Sequence, residues 1–148
     1  LATLIDGRVE LARQKKNLTV ICPMPSGWAV LGDAQFIRDY CLLLSDPVVP
    51  DLNALSRAQR QQYLLDMTLI GDALLEVTEA YRINYETLGN LDPALHTHIF
   101  PRYLSEPELY RQGPLYYYSR EERASRPFDY ERDQGLIGTL AEAIQRRL

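Results

Sequence analysis

The sequence predicts an α+β fold: an antiparallel sheet of about five strands, one long helix, and flanking helices at both ends. Three observations predict it. Short apolar or β-favouring runs at 19–22, 28–31, 40–44, 82–88 and 96–102 are separated by breaker or polar residues, the pattern of strands between turns. One long stretch, 56–80, carries apolar residues at helical spacing, as an amphipathic helix does. The strands mostly follow one another rather than alternating with helices, which favours an antiparallel sheet over a βαβ repeat.

The 148 residues suit a single domain spanning 1–148, long enough to bury a core without staples. Apolar residues make up 46% and charged residues 24%, an ordinary globular balance. The net charge of −4 disfavours nucleic acid held by broad electrostatics, while a small nucleotide needs only a local positive pocket. Cys22 and Cys41 lie far apart in no CxxC pair and read as reduced thiols, Cys41 within a strand. No apolar run approaches the ~20 residues of a membrane span, and no secretory leader is visible. The expected location is the cytoplasm.

In chain order, 2–16 places Leu4, Ile5, Val9, Leu11 and Ala12 on a rough helical stripe, a docking helix whose basic end suits the negative helix pole. Thr19–Cys22 reads as a short strand ended by the breaker Pro23–Gly27. Trp28–Leu31 and Tyr40–Leu44 are continuously apolar, as strands covered on both faces are. Ser56 with Gln59 fits a capping box, opening a helix to about Ala80. Its stripe is Leu64, Met67, Gly71, Leu74 and Thr78, flanked by Tyr63, Ile70 and Val77. Gly71 inside a helix points to close packing on the sheet. Strands over 82–88 and 96–102 are joined by 89–93, the length of a hairpin loop. Beyond Tyr103 the chain is an extension, 104–148, packed on the core or on a partner. Tyr116–Tyr118 reads as an exposed aromatic cluster suited to a dimer contact, or to stacking a base. A closing helix over 135–148 carries Leu136, Leu140 and Ile144 at helical spacing.

Both histidines fall in one stretch, Pro93-Ala94-Leu95-His96-Thr97-His98-Ile99-Phe100-Pro101-Arg102-Tyr103. In a strand, alternate residues share a face, so His96, His98, Phe100 and Arg102 take one side and Leu95, Thr97 and Ile99 the other. Two imidazoles with a guanidinium nearby suit a phosphoryl group: histidine attacks phosphorus or carries a proton near neutral pH, and arginine is a permanent positive fork. His-x-His is also a two-point metal ligand set, but further ligands would have to come from carboxylates.

The run Asn84-Tyr85-Glu86-Thr87-Leu88-Gly89-Asn90, followed by His96-Thr97-His98-Ile99-Phe100-Pro101-Arg102-Tyr103, resembles the histidine triad superfamily of nucleotide hydrolases and transferases. The resemblance covers about 28–103. The family's motif places three alternating histidines on Ala94, His96 and His98, so the first is replaced by alanine. The resemblance implies a homodimer acting on a nucleoside phosphate through a nucleotidyl-histidine intermediate. No cofactor is expected, and the small number of further ligands makes a metal unexpected as well. It implies His96 as nucleophile, His98 at a phosphate oxygen or leaving group, and Asn90 and Arg102 as stabilisers of charge on phosphorus. Asp33 corresponds to the residue that grips the ribose hydroxyls, or else only stabilises its turn; Arg102 could equally be solvated beyond Pro101. Ala94 leaves open a binding module of the same fold that lacks turnover.

Overall fold

The computed structural model describes residues 2–148. Strands β1 (Val20–Met24), β2 (Gly27–Leu31), β3 (Cys41–Ser45), β4 (Arg82–Glu86) and β5 (His96–Arg102) form one sheet. Its order is β1-β2-β3-β5-β4, every neighbouring pair antiparallel. The helices are α1 (Leu4–Arg13), α2 (Arg57–Val77), α3 (Glu108–Arg111), α4 (Arg120–Arg123) and α5 (Tyr130–Gln145). The α+β class and the five-stranded antiparallel sheet stand as the sequence predicts.

Each face of the sheet has its own core. Under α2 and α5 lie Leu31, Leu43, Tyr63, Ile70, Leu74, Leu95, Ile99, Leu140 and Ile144. On the opposite face Ile5 and Val9 of α1 join Val30, Leu42, Leu44, Ala94 and Phe100, with Leu115 and Tyr118 from the C-terminal segment. The central strand β3 is therefore buried at every residue, which is why its sequence is continuously apolar. Pro23 falls inside β1 rather than ending it; β1 is an edge strand, where a missing N–H is tolerated.

The capping box at Ser56 forms as expected, with Gln59 closing it. The buried stripe of α2 differs from the expected one: Leu64 is 45% exposed, and Tyr63, Asp66, Ile70, Gly71, Ala73 and Leu74 face inward. Asp66 can be buried because it accepts from the backbone N–H and hydroxyl of Ser26 and from Gln62, a satisfied carboxylate. Gly71 does permit close packing. A Cβ there would stand 2.0 Å from the Tyr85 hydroxyl of β4. The helix stops at Val77 instead of Ala80, because Thr78 is extended and turns both its N–H and hydroxyl back on the Leu74 carbonyl.

The terminal helices also depart from expectation. A Thr3–Asp6 capping box starts α1, which buries Ile5, Val9 and Ala12 but leaves Leu4 and Leu11 exposed. α5 begins at Tyr130, five residues before the expected start at Gly135, because Asp129 caps it by accepting from the Arg132 N–H. Tyr118 is not part of an exposed cluster. It is buried against Phe36 and Tyr110 with its hydroxyl on Glu106, while Tyr116 and Tyr117 remain exposed. Among the described residues no helix is long and apolar enough to cross a membrane.

Candidate functional site

β5 sets the site by simple alternation. Thr97 points to the α2 side, where its hydroxyl meets the Tyr63 hydroxyl at 2.8 Å. His96, His98 and Phe100 point to the other side: the two imidazole centroids are 5.1 Å apart, and His98 lies nearly parallel to the Phe100 ring. A cavity of about 480 Å³ opens over them, walled by Leu4, Ile5 and Arg8 of α1, the 88–92 loop, and the β2–β3 connection. Its lining is mostly apolar; Asp33, Asn90, Asp92 and the two histidines are among its polar residues, beside Arg8.

Each imidazole has one nitrogen already committed. His96 Nδ1 lies 2.6 Å from the Ala94 carbonyl oxygen. A carbonyl only accepts, so Nδ1 carries the proton and Nε2 keeps its lone pair. His98 Nδ1 is hydrogen-bonded to the Tyr40 hydroxyl. Burial first, and the neighbouring His96 second, lower the His98 pKa from 6.5 to about 4, since both disfavour the charged form of His98. His98 is therefore neutral at physiological pH.

The remaining expected residues separate into two groups. Asp33 and Asn90 line the cavity with the histidines. Asp33 is gripped by Arg8 through two hydrogen bonds, 2.9 and 2.6 Å. Arg102 shares the strand parity of His98 but is neither at the cavity nor solvated. It is 1% exposed, and the C-terminal segment folds over it. Its guanidinium donates to Glu106, Asn84 and the carbonyls of Tyr110 and Gly113. With every donor direction engaged, its role in this geometry is to tie the extension to the sheet. Asp92 accepts from the Ile5 backbone N–H at 3.2 Å and so holds α1.

Two residues of the site were not read from the sequence as site residues, Tyr40 and Arg8. Neither sits in a motif; each reaches the site only through the fold, Tyr40 across 58 residues to His98 and Arg8 across 25 to Asp33. Cys22 and Cys41 are buried free thiols. Burial pushes Cys22 up to about 11 and Cys41 well above its usual value, so neither supplies a thiolate nucleophile. Among the described residues no group of three or more His, Cys, Asp or Glu side chains is placed to hold a metal ion.

No family model matches the sequence, and no curated protein matches it either. Solved structures do match the fold. A histidine triad protein from Marinobacter aquaeolei VT8 is 18% identical, with a TM-score of 0.71 over 86% of this chain and 88% of that one. A histidine triad (HIT) protein from Sinorhizobium meliloti 1021 is 19% identical, with a TM-score of 0.69 over 93% and 94%. A hypothetical histidine triad nucleotide-binding protein from Sulfolobus tokodaii strain 7 is 13% identical, with a TM-score of 0.73 over 95% and 92%. The chain has the histidine triad fold.

Proposed function

We propose that the cavity binds a nucleoside phosphate and that His96 takes its nucleotidyl group by attack on the α-phosphorus. The observation that carries this reading is the hydrogen bond from His96 Nδ1 to the Ala94 carbonyl, in a histidine that lines the cavity; in the neutral imidazole it places the lone pair on Nε2. In the first step the Nε2 lone pair forms an N–P bond while the bond from phosphorus to the leaving group breaks. Water, or another acceptor, then attacks phosphorus and returns the electron pair to Nε2. Dividing one displacement into two lowers each barrier.

In this reading His98 hydrogen-bonds the phosphoryl group or leaving group, and Asn90 donates to the charge on phosphorus. Asp33 accepts from ribose hydroxyls, its position fixed by Arg8. That grip still leaves lone pairs on both carboxylate oxygens, because each oxygen accepts more than one bond. Arg8 is the cationic side chain at the cavity and takes the charge-balancing place expected of Arg102. The first motif position is the buried methyl of Ala94, and the backbone carbonyl of that residue does the orienting. We also propose a homodimer, with β4 as an edge strand available to a second copy; light scattering on the eluting protein would show twice the chain mass.

The test is AMP release from a dinucleoside polyphosphate, an adenosine phosphoramidate and an adenylylated sugar, with the native chain and His96→Ala in parallel. Turnover abolished by the substitution is the expected result. Turnover that survives it would remove His96 as the nucleophile. AMP binding without turnover on any substrate would favour the second reading, a non-catalytic nucleotide-binding module, for which the methyl of Ala94 speaks.

A further inference from the structure

We propose that Tyr40 determines which leaving groups the site releases: by donating to His98 Nδ1 it fixes His98 as an Nε2–H donor that gives a hydrogen bond but no proton. Substrates are then those whose leaving group departs as a stable oxygen anion, such as a phosphate chain or a carboxylate. Amines and alcohols, which must be protonated as they leave, are disfavoured. This inference rests on the nucleotidyl-transfer reading above and narrows its substrate class.

The tyrosine is held in place from several sides. Its carbonyl accepts from the Gly32 N–H and from Nε2 of the buried Gln35, both at 2.9 Å. Its ring stacks on Phe100 with centroids 4.4 Å apart. Residue 32 must be glycine for the ring to lie there, since a Cβ would come within 2.0 Å of it. Among the described residues the hydroxyl has one hydrogen-bond partner, His98 Nδ1.

Which atom holds the proton follows from chemistry. The phenol is buried, and burial raises its pKa far beyond the physiological range, so it keeps its proton and donates it. Nδ1 is then the acceptor, and the imidazole's own proton sits on Nε2. For His98 to act as a general acid it would have to become an imidazolate, or draw the Tyr40 proton and leave a buried phenolate. The groups around it oppose both. Glu86, opposite His98 in the β4–β5 register, shares its face, and Asp33 adds a second negative charge toward Tyr40. Arg8 is committed to Asp33, and Cys41 is a neutral thiol. Charging His98 first is no easier, because burial and His96 oppose it.

The step therefore balances without a proton. The His96 Nε2 pair makes the N–P bond, the P–O bond breaks with its electrons on the departing oxygen, and His98 Nε2–H offers a hydrogen bond. In the second step the attacking water loses its proton to solvent as the P–N electrons return to Nε2. A site lacking its general acid loses roughly a hundredfold on a leaving group that needs one, and little on one that does not.

Two measurements test this. In protein with ¹⁵N-labelled imidazoles, with the two residues told apart by His96→Asn, His98 should show an unprotonated Nδ1 and a protonated Nε2 from about pH 5 to about pH 8. Tyr40→Phe should lose this tautomer preference and titrate at higher pH. A native His98 with its proton on Nδ1, or one that takes a second proton above about pH 6, overturns the proposal. In the second, kcat/KM for diadenosine tetraphosphate should exceed that for adenosine 5′-phosphoramidate by roughly a hundredfold. Tyr40→Phe should narrow that ratio; equal native rates, or a ratio unmoved by the substitution, overturn the proposal. Turnover of neither substrate sinks the nucleotidyl-transfer reading and the leaving-group rule with it, and the nitrogen spectra tell that failure apart from a misassigned tautomer.

Discussion

Arg102 shows how far a residue's role can lie from its motif. Next to Pro101 at the end of a histidine strand it reads as a phosphate ligand, because a guanidinium there could reach an anion. What decides against this is Glu106, four residues on, whose carboxylate pairs with it at 3.0 Å while the 110–113 backbone closes over both. The packing of a connector that has no periodic signal cannot be read from a strand's alternation. Removing one partner of a buried ion pair costs about 3–5 kcal/mol, far more than the pair itself contributes. Arg102→Ala should therefore lower the urea-unfolding free energy by that amount while leaving nucleotide affinity of the folded protein within about twofold, the scatter of a neutral surface change. A large affinity loss with stability preserved would return Arg102 to the site. Tyr40 is illegible for a related reason: it sits at the start of an apolar run and looks like one more strand residue. Its function depends on the glycine beside its ring. Gly32→Ala should displace that ring and cost about 1–3 kcal/mol, as overpacking does, with the His98 nitrogen spectrum changing along with the melting temperature.

At the scale of elements, α1 is the wall that makes the cavity, and three carboxylates from three connections hold it. Asp33 after β2 takes Arg8, Asp46 after β3 takes Arg13, and Asp92 before β5 takes the Ile5 backbone N–H. Asp46 also accepts from Trp28, and Arg13 holds its carboxyl below the usual carboxylate range. Half-exposed pairs of this kind are worth about 0.2–1 kcal/mol each and weaken as salt shortens the screening length from about 10 Å to about 3 Å. In hydrogen exchange, amides of 4–13 should therefore speed up roughly three- to tenfold between about 0.1 M and about 1 M salt, with β3 and β5 unchanged. Exchange in α1 that ignores salt would mean that Ile5 and Val9 hold it alone. The helices were legible in kind but not in rotation. Leu64 and Leu11 read as core because leucine at helical spacing usually is, yet the sheet selects a face one residue away, and in α2 that face includes Asp66. Such a carboxylate becomes buriable only once the turn at Ser26 supplies its donors, a tertiary fact.

For the whole molecule, the five strands along the chain and the α+β class were legible because they depend on local punctuation and on the continuous apolar runs of β2 and β3. The sheet order, which places β5 between β3 and β4, is a tertiary fact that no local signal carries. Which groups become titratable partners depends on closure of both faces, and here the folded state makes a prediction about pH. In an unfolded chain His98 takes up a proton near 6.5, whereas burial and His96 hold it to about 4 in the folded protein. Between those values the unfolded chain binds more protons, so folded stability is complete above about 6.5 and falls as pH drops toward 4. At about 1.4 kcal/mol for each tenfold change in proton affinity, the loss across that interval is roughly 3 kcal/mol. The lowered carboxyls of Asp46 and Glu106 act in a separate window. Their contributions are present above their ordinary values, 3.8 and 4.5, and are lost only as pH falls below these. Urea unfolding of the native chain at about pH 7.5, 5.5 and 4.5 should thus show stability declining while most carboxylates remain ionised. His98→Asn should abolish most of that slope, because an amide fills part of the space without taking up a proton. A native stability that stays flat across the interval would mean that water reaches His98 freely. It could then charge in the folded state, and the hydrogen bond from Tyr40 would no longer decide where its proton lies.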